Sequence, residues 1–190
     1  MPTELTTPGF STVPGSERAR YTQGRIIGSC DQSEPVRVTI MLQRKNAREF
    51  ERLLREFERR QTSDPVKPLS SEEFARSFGA DRADIQTVAE FAGQAGLQVE
   101  ETDIARRIVV LSGTVGNMNK AFGIQLQNCE EGGRTFRVRE GGISVPDTIA
   151  GIVTGVFGLD QRPPGDPSLS AAVRQRTISG LQPHRSRGSL

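Results

Sequence analysis

A serine nucleophile of the Ser-His-Asp type needs a histidine base held in a folded scaffold. The one histidine of this 190-residue chain, His184, lies in a polar tail. Cys30 and Cys129 stand far apart, with neither a CxxC repeat nor the ligand spacing of a zinc site. They could form one disulfide. Two isolated thiols is the favoured reading, because Cys30 sits in a segment of flexible composition, and the redox compartment stays open. Carboxylate pairs for acid–base work occur only as sequence neighbours, Glu72-Glu73 and Glu100-Glu101. Adjacent residues rarely converge on one substrate, so the first pair reads as a helix cap and the second as a solvated strand. Gly132-Gly133 and Gly141-Gly142 read as turns, since neither follows a strand and opens a helix as a phosphate cradle does. HExxH and P-loop motifs are absent from the sequence. No catalytic, cofactor-binding or metal-binding residue is assigned on these grounds.

Composition narrows the classes further. Hydrophobic residues make up 34% and charged residues 25%, which suits a soluble globular domain with some loose polar sequence. No apolar run approaches the roughly 18 residues of a membrane span, and the N-terminus shows no signal peptide. The net charge of +2 is uneven. Residues 161–190 carry five Arg against Asp166 alone, whereas residues 36–160 carry 17 basic and 18 acidic side chains. A nucleic-acid-binding core would show a basic stripe within the fold, and this one is neutral there. The Arg- and Glu-rich stretch from Arg44 to Arg60 reads as a solvated helix face. The tail arginines Arg174, Arg176, Arg185 and Arg187, with His184, flank an exposed polar stretch. Such segments are preferred protease sites, and these five residues mark a candidate linker and cleavage region.

The pattern of the chain supplies the elements. Residues 1–35 are rich in Pro, Gly, Ser and Thr and read as an extended arm. Val36, Val38, Ile40 and Leu42 alternate with Arg37, Thr39, Met41 and Gln43, the period of a half-buried strand, and the fold is expected to start there. Asn46 is placed to cap a helix whose apolar positions are Ala47, Phe50, Leu53, Leu54 and Phe57. Asp64-Pro65 forbids its continuation. Ser70 and Glu73 form a capping box before Phe74 and Phe78, and Gly79 ends that helix. Asp81 caps another, with Ile85, Val88, Ala89 and Ala92 as its stripe and Gly96 as its stop. Strands are expected at Leu97–Thr102 and Ile108–Leu111, then a short helix carrying Val115, Met118 and Phe122. A hairpin follows around residues 130–133, then a helix from Pro146 with Ile149, Ile152 and Val153 on its buried side. The last strand is expected at Val156–Leu159. Arg162-Pro163-Pro164 marks a domain boundary. The result is an α+β fold, an antiparallel sheet with helices packed on one face, a ferredoxin-like open sandwich. It comprises an arm (1–35), a folded body (36–160) and an Arg-bearing linker (161–190).

A ferredoxin-like sheet raises a nucleic-acid-binding α+β domain with a basic tail as the alternative. Its nearest stretch, Arg134–Arg139, holds one aromatic and lacks the glycine-aromatic pattern of RNA-recognition modules. Five strings in order point elsewhere. They are Val13–Arg18, Val36–Lys45, Leu69–Ala80, the pair Val110–Gly113 and Asn119–Leu126, and the pair Val145–Ala150 and Val156–Pro163. Over Pro14–Pro163 the sequence resembles the N-terminal activation domain, or propeptide, of the sedolisin/kumamolisin serine-carboxyl peptidases. The resemblance implies an intramolecular chaperone and inhibitor that is cut away in acid. The partner would be the cognate peptidase catalytic domain, in cis or in trans, outside the cell with the parent zymogen. For this chain no cofactor, no membrane and no nucleic-acid partner is expected. The family's catalytic Glu, Asp and Ser lie in a following domain, the Ser in a Gly-Thr-Ser motif. Gly113-Thr114 is followed here by Val115, so no catalytic residue transfers and this chain alone is expected to have no peptidase activity.

Overall fold

The computed structural model describes residues 9–59 and 69–163. In chain order the strands and helices are β1 (Phe10–Thr12), β2 (Arg25–Ser29), β3 (Pro35–Leu42), α1 (Ala47–Arg59), α2 (Ser71–Phe78), α3 (Arg82–Gln94), β4 (Gln98–Asp103), β5 (Ile108–Thr114), α4 (Val115–Phe122), β6 (Gln127–Glu131), β7 (Arg134–Val138), β8 (Ser144–Pro146), α5 (Asp147–Ala150) and β9 (Val153–Phe157). From β3 onward the order matches the sequence pattern, with β8 added. Val153 belongs to β9 rather than to the helix before it, and Pro146 stands one place ahead of α5.

Alternation in β3 decides the architecture. Val36, Val38, Ile40 and Leu42 are all buried, while Arg37, Thr39 and Met41 point the other way. β3 lies between β5 and β9, and β4 pairs on the far side of β5, giving the antiparallel order β4-β5-β3-β9. Val38 faces Leu111 and Ile40 faces Val109 across the β3–β5 ladder. Helices cover that side, bringing Val88, Phe91 and Ala92 of α3 and Val115, Met118 and Phe122 of α4 into one core. Each of the larger of these side chains contributes roughly 1.5–3 kcal/mol through burial, which makes this layer the main stabilising element. The fold is therefore α+β, with antiparallel sheets and helices on one face of the larger sheet.

Local signals behave as their chemistry dictates. The hairpin of β6 and β7 turns at Gly132 (φ 55°) and Gly133 (φ 75°), the two positive angles that a type I′ turn demands. The Ser70 hydroxyl accepts from Glu73 N–H at 3.2 Å, and the Glu73 carboxylate accepts from Ser70 N–H at 2.9 Å. Hydrogen bonds from Ser70 to the Glu73 carboxylate, its backbone N–H first and its side chain second, hold that carboxyl below its ordinary value. The sign follows: the box stabilises α2 at neutral pH and weakens only as pH falls through that lowered value. Ser70→Ala is expected to cost about 1 kcal/mol, read as a lowered denaturation midpoint. The loss should shrink when the titration is repeated in strong acid. Asp81 caps α3 by accepting from Ala83 N–H at 2.9 Å.

Three features depart from the sequence pattern. Asn46 precedes α1 with a positive φ of 53°, but its amide donates to Ser77 O at 3.0 Å instead of accepting from the helix. Helix α1 forms, yet no residue of it is buried. It is anchored mainly by Phe50 against Phe74 and Phe78, with the Arg44 guanidinium 3.9 Å from the Phe50 ring centroid. The arm is extended, as its composition predicts, but within the described residues it is also paired. β1 pairs with β8, β2 pairs with β6, and Val13 and Cys30 enter the core. A three-stranded sheet β2-β6-β7 results.

Candidate docking face

The side of the larger sheet opposite the helices carries the residues that β3 turns away from the core. Register fixes its membership. Thr39 lies between Val110 of β5 and Phe157 of β9, and Met41 lies between Ile108 and Gly155. Thr39, Met41, Ile108, Val110 and Phe157, with Arg37, Glu101, Arg106 and Gly158, line an open hollow of about 560 Å³. Among the described elements no helix lies across it. Ile108 and Val110 are nonetheless buried at its floor, whereas Phe157 is 55% exposed. A β-carbon on Gly155 would stand 2.8 Å from the Phe157 ring, so an edge of the ring occupies the space that a side chain at 155 would take. The missing side chain at 155 thus orients a large apolar group at the sheet surface. Apolar floor, exposed aromatic and charged rim are the composition of a protein-docking surface.

The rim explains the paired carboxylates. A bulge in β4 between Val99 and Glu101 lets neighbouring residues reach the same partner. Arg37 Nε meets Glu100 at 2.7 Å, Arg37 Nη2 lies 3.8 Å from Glu101, and Arg106 lies 3.5 Å from Glu101. All four side chains are substantially exposed. Such pairs are each worth about 0–1 kcal/mol, so they tune charge at the rim more than they hold the fold. The solvated-strand reading of Glu100-Glu101 stands, with the bulge added.

Elsewhere the reactive side chains are quiet. Cys30 and Cys129 are both free and buried. Burial, the leading cause, pushes both thiols up from their ordinary value, which disfavours the thiolate that nucleophilic or metal chemistry would need. Cys30 instead donates to Asn128 Oδ1 at 3.2 Å. Tyr21 is pushed up to about 12, chiefly by its hydrogen bond to Glu131, and stays a neutral donor. The tail residues Arg174, Arg176, His184, Arg185 and Arg187 lie outside the described residues.

A sequence model of the family described as "Pro-kumamolisin, activation domain" matches residues 22–162. The chain belongs to that family. The resemblance read from the five strings therefore holds, and the match ends at Arg162. A curated relative, kumamolisin of Bacillus sp. (strain MN-32), is 32% identical over 157 residues, which is 82% of this chain and 28% of the relative. This activation domain thus spans little more than a quarter of the length of the relative it matches. No helix among its described residues is long and apolar enough to cross a membrane. The docking residues were not singled out by sequence reasoning. The signal was present in the polar phase of β3, but which face a helix would cover is settled only by tertiary packing.

Proposed function

We propose that this activation domain is the propeptide of a secreted, acid-acting serine-carboxyl peptidase, that it assists folding of the catalytic domain, and that it then inhibits it until removed by proteolysis. The observation that carries this reading is the uncovered sheet face with the exposed Phe157 on its edge strand β9, in a chain of the pro-kumamolisin activation family. A flat apolar surface rimmed by both signs of charge suits a second folded domain better than a small ligand. Covalent attachment to that domain makes docking intramolecular and raises its effective concentration. Carboxylates that form ion pairs across the interface lose charge in acid, which weakens the complex and favours release. The chain itself supplies no peptidase chemistry in this reading, and the parent zymogen does.

The test adds the chain to its cognate mature catalytic domain. At mildly acidic pH, peptidase activity should fall with increasing chain and recover as the pH is lowered further. Refolding yield of the denatured catalytic domain should rise in its presence. Unchanged activity sinks the inhibitor role, and an unchanged refolding yield sinks the chaperone role.

A further inference from the structure

The segment that leaves β9 does not simply trail away. It passes the outer edge of β7, whose other edge is taken by β6, and makes one backbone hydrogen bond to it. Gln161 N–H donates to Arg137 O at 2.8 Å, and its side-chain oxygen accepts from Arg137 N–H at 3.3 Å. One step back, the Asp160 carboxylate takes Arg139 N–H. One step on, Arg162 spreads its guanidinium over three separate parts of the chain. Its Nη2 donates to Arg139 O at 2.5 Å, and its Nη1 donates to Ala19 O in the arm at 3.1 Å. Its Nε donates to Asp160 Oδ1 at 3.0 Å, and Nη2 lies 2.8 Å from the other carboxylate oxygen. The plane also approaches the Tyr21 ring, 5.4 Å from its centroid. Only a planar fork with five donors can serve these acceptors together.

The side chains of Asp160 and Arg162 are only 12% and 20% exposed, so this is a desolvated pair rather than a surface contact. Arg139 extends the same tie inward. It is buried and donates to Ser16 O and Gly141 O, both at 2.6 Å. Pro163 then has no N–H for the next β7 acceptor, so edge pairing stops there.

We propose that Arg162, with Asp160 as its counter-charge, is a positioning residue of a clasp that ends the folded body at Pro163. The clasp withholds the peptide bonds from Leu159 to Arg162 from any peptidase cleft, so removal of the domain proceeds by cuts beyond Pro163. A peptidase must take its substrate as a free extended strand, and these residues are free only when three elements let go together. The arm is part of the same lock, so loosening Ala19 and Tyr21 loosens the exit. The meaning for zymogen processing rests on the function proposed above, but the clasp itself does not.

Limited digestion of the full chain by a broad-specificity protease tests it, with product ends read by mass spectrometry. The wild-type resistant product should end at Pro163 or later. Arg162→Ala should give products ending between 159 and 161, at least tenfold faster. Arg162→Lys, which keeps the charge without the fork, should behave like the alanine variant. Amide exchange in β3 and β5 reports whether each variant keeps its fold, and Tyr21→Ala offers a milder opening should either fail. Wild-type cuts between Leu159 and Arg162 at the rate of the tail would overturn the proposal. So would wild-type boundaries in folded Arg162 variants, or full protection by lysine. No peptidase domain takes part, so a failed inhibition assay with an intact boundary condemns the proposed function alone. Inhibition with a displaced boundary condemns the clasp alone.

Discussion

Replacing Phe157 by alanine is expected to weaken inhibition of the catalytic domain by about tenfold to a hundredfold, with little change in the stability of this chain. The asymmetry follows from exposure. Phe157 is more than half exposed, so the folded domain alone gains little from its ring. A docked partner would bury most of an aromatic's 150–250 Å² of surface, roughly the size of interface hot spots worth 2 kcal/mol or more, and each 1.4 kcal/mol is tenfold in affinity. The measurement is an inhibition constant beside a thermal midpoint for each variant. An unchanged constant in Phe157→Ala removes the sheet face from the interface. Leu54→Ala on α1 is the control: it is similarly exposed but lies off the sheet, and it should change inhibition less than twofold.

The second large effect lies on the opposite side of the same strands. Leu111 is fully buried under the helices and faces Val38 across the ladder. Leu111→Ala should destabilise the chain by about 2–5 kcal/mol through lost burial and an unfilled cavity. A domain of this size has only about 5–15 kcal/mol to lose. Denaturant unfolding checks the number. Because Val110 and Ile108 at the docking floor belong to the same strand, inhibition and folding assistance should fail together as the variant is warmed. Phe157→Ala, by contrast, should lose inhibition while still folded. A Leu111→Ala variant as stable as the parent would mean that the helices do not hold this layer.

The elements that were legible in the sequence are those whose neighbours are close in the chain or whose burial is one-sided. Alternation from Val36 to Leu42, the Ser70–Glu73 box and the Gly132-Gly133 turn each carry their own signal. β1 and β2 carry none. They are short and mostly exposed, and their partners lie more than 90 residues away in β6 and β8. A composition of Pro, Gly, Ser and Thr describes their extended backbone but not its pairing. Asn46 had the right type for a cap, but Ser77 O lies within reach and takes its amide. Arg162-Pro163-Pro164 reads as a domain boundary from its composition alone. The partners of the segment before it, Arg137, Arg139 and Ala19, are distant in sequence, so the Arg162 fork is visible only with the fold. The docking face was half legible: the polar phase of β3 announced an outward side, whereas the Phe157 ring resting on Gly155 depends on the three-dimensional packing of β9.

In the proposed function this activation domain meets the catalytic domain through the uncovered face of the β4-β5-β3-β9 sheet. Methyl NMR of the labelled chain, titrated with the catalytic domain, tests it most directly. Met41, Ile108 and Val110 should shift in proportion to added partner, while Val88 and Met118 behind the sheet stay in place. Shifts confined to α1, or a partner that binds without moving the three sheet-face methyls, would contradict it.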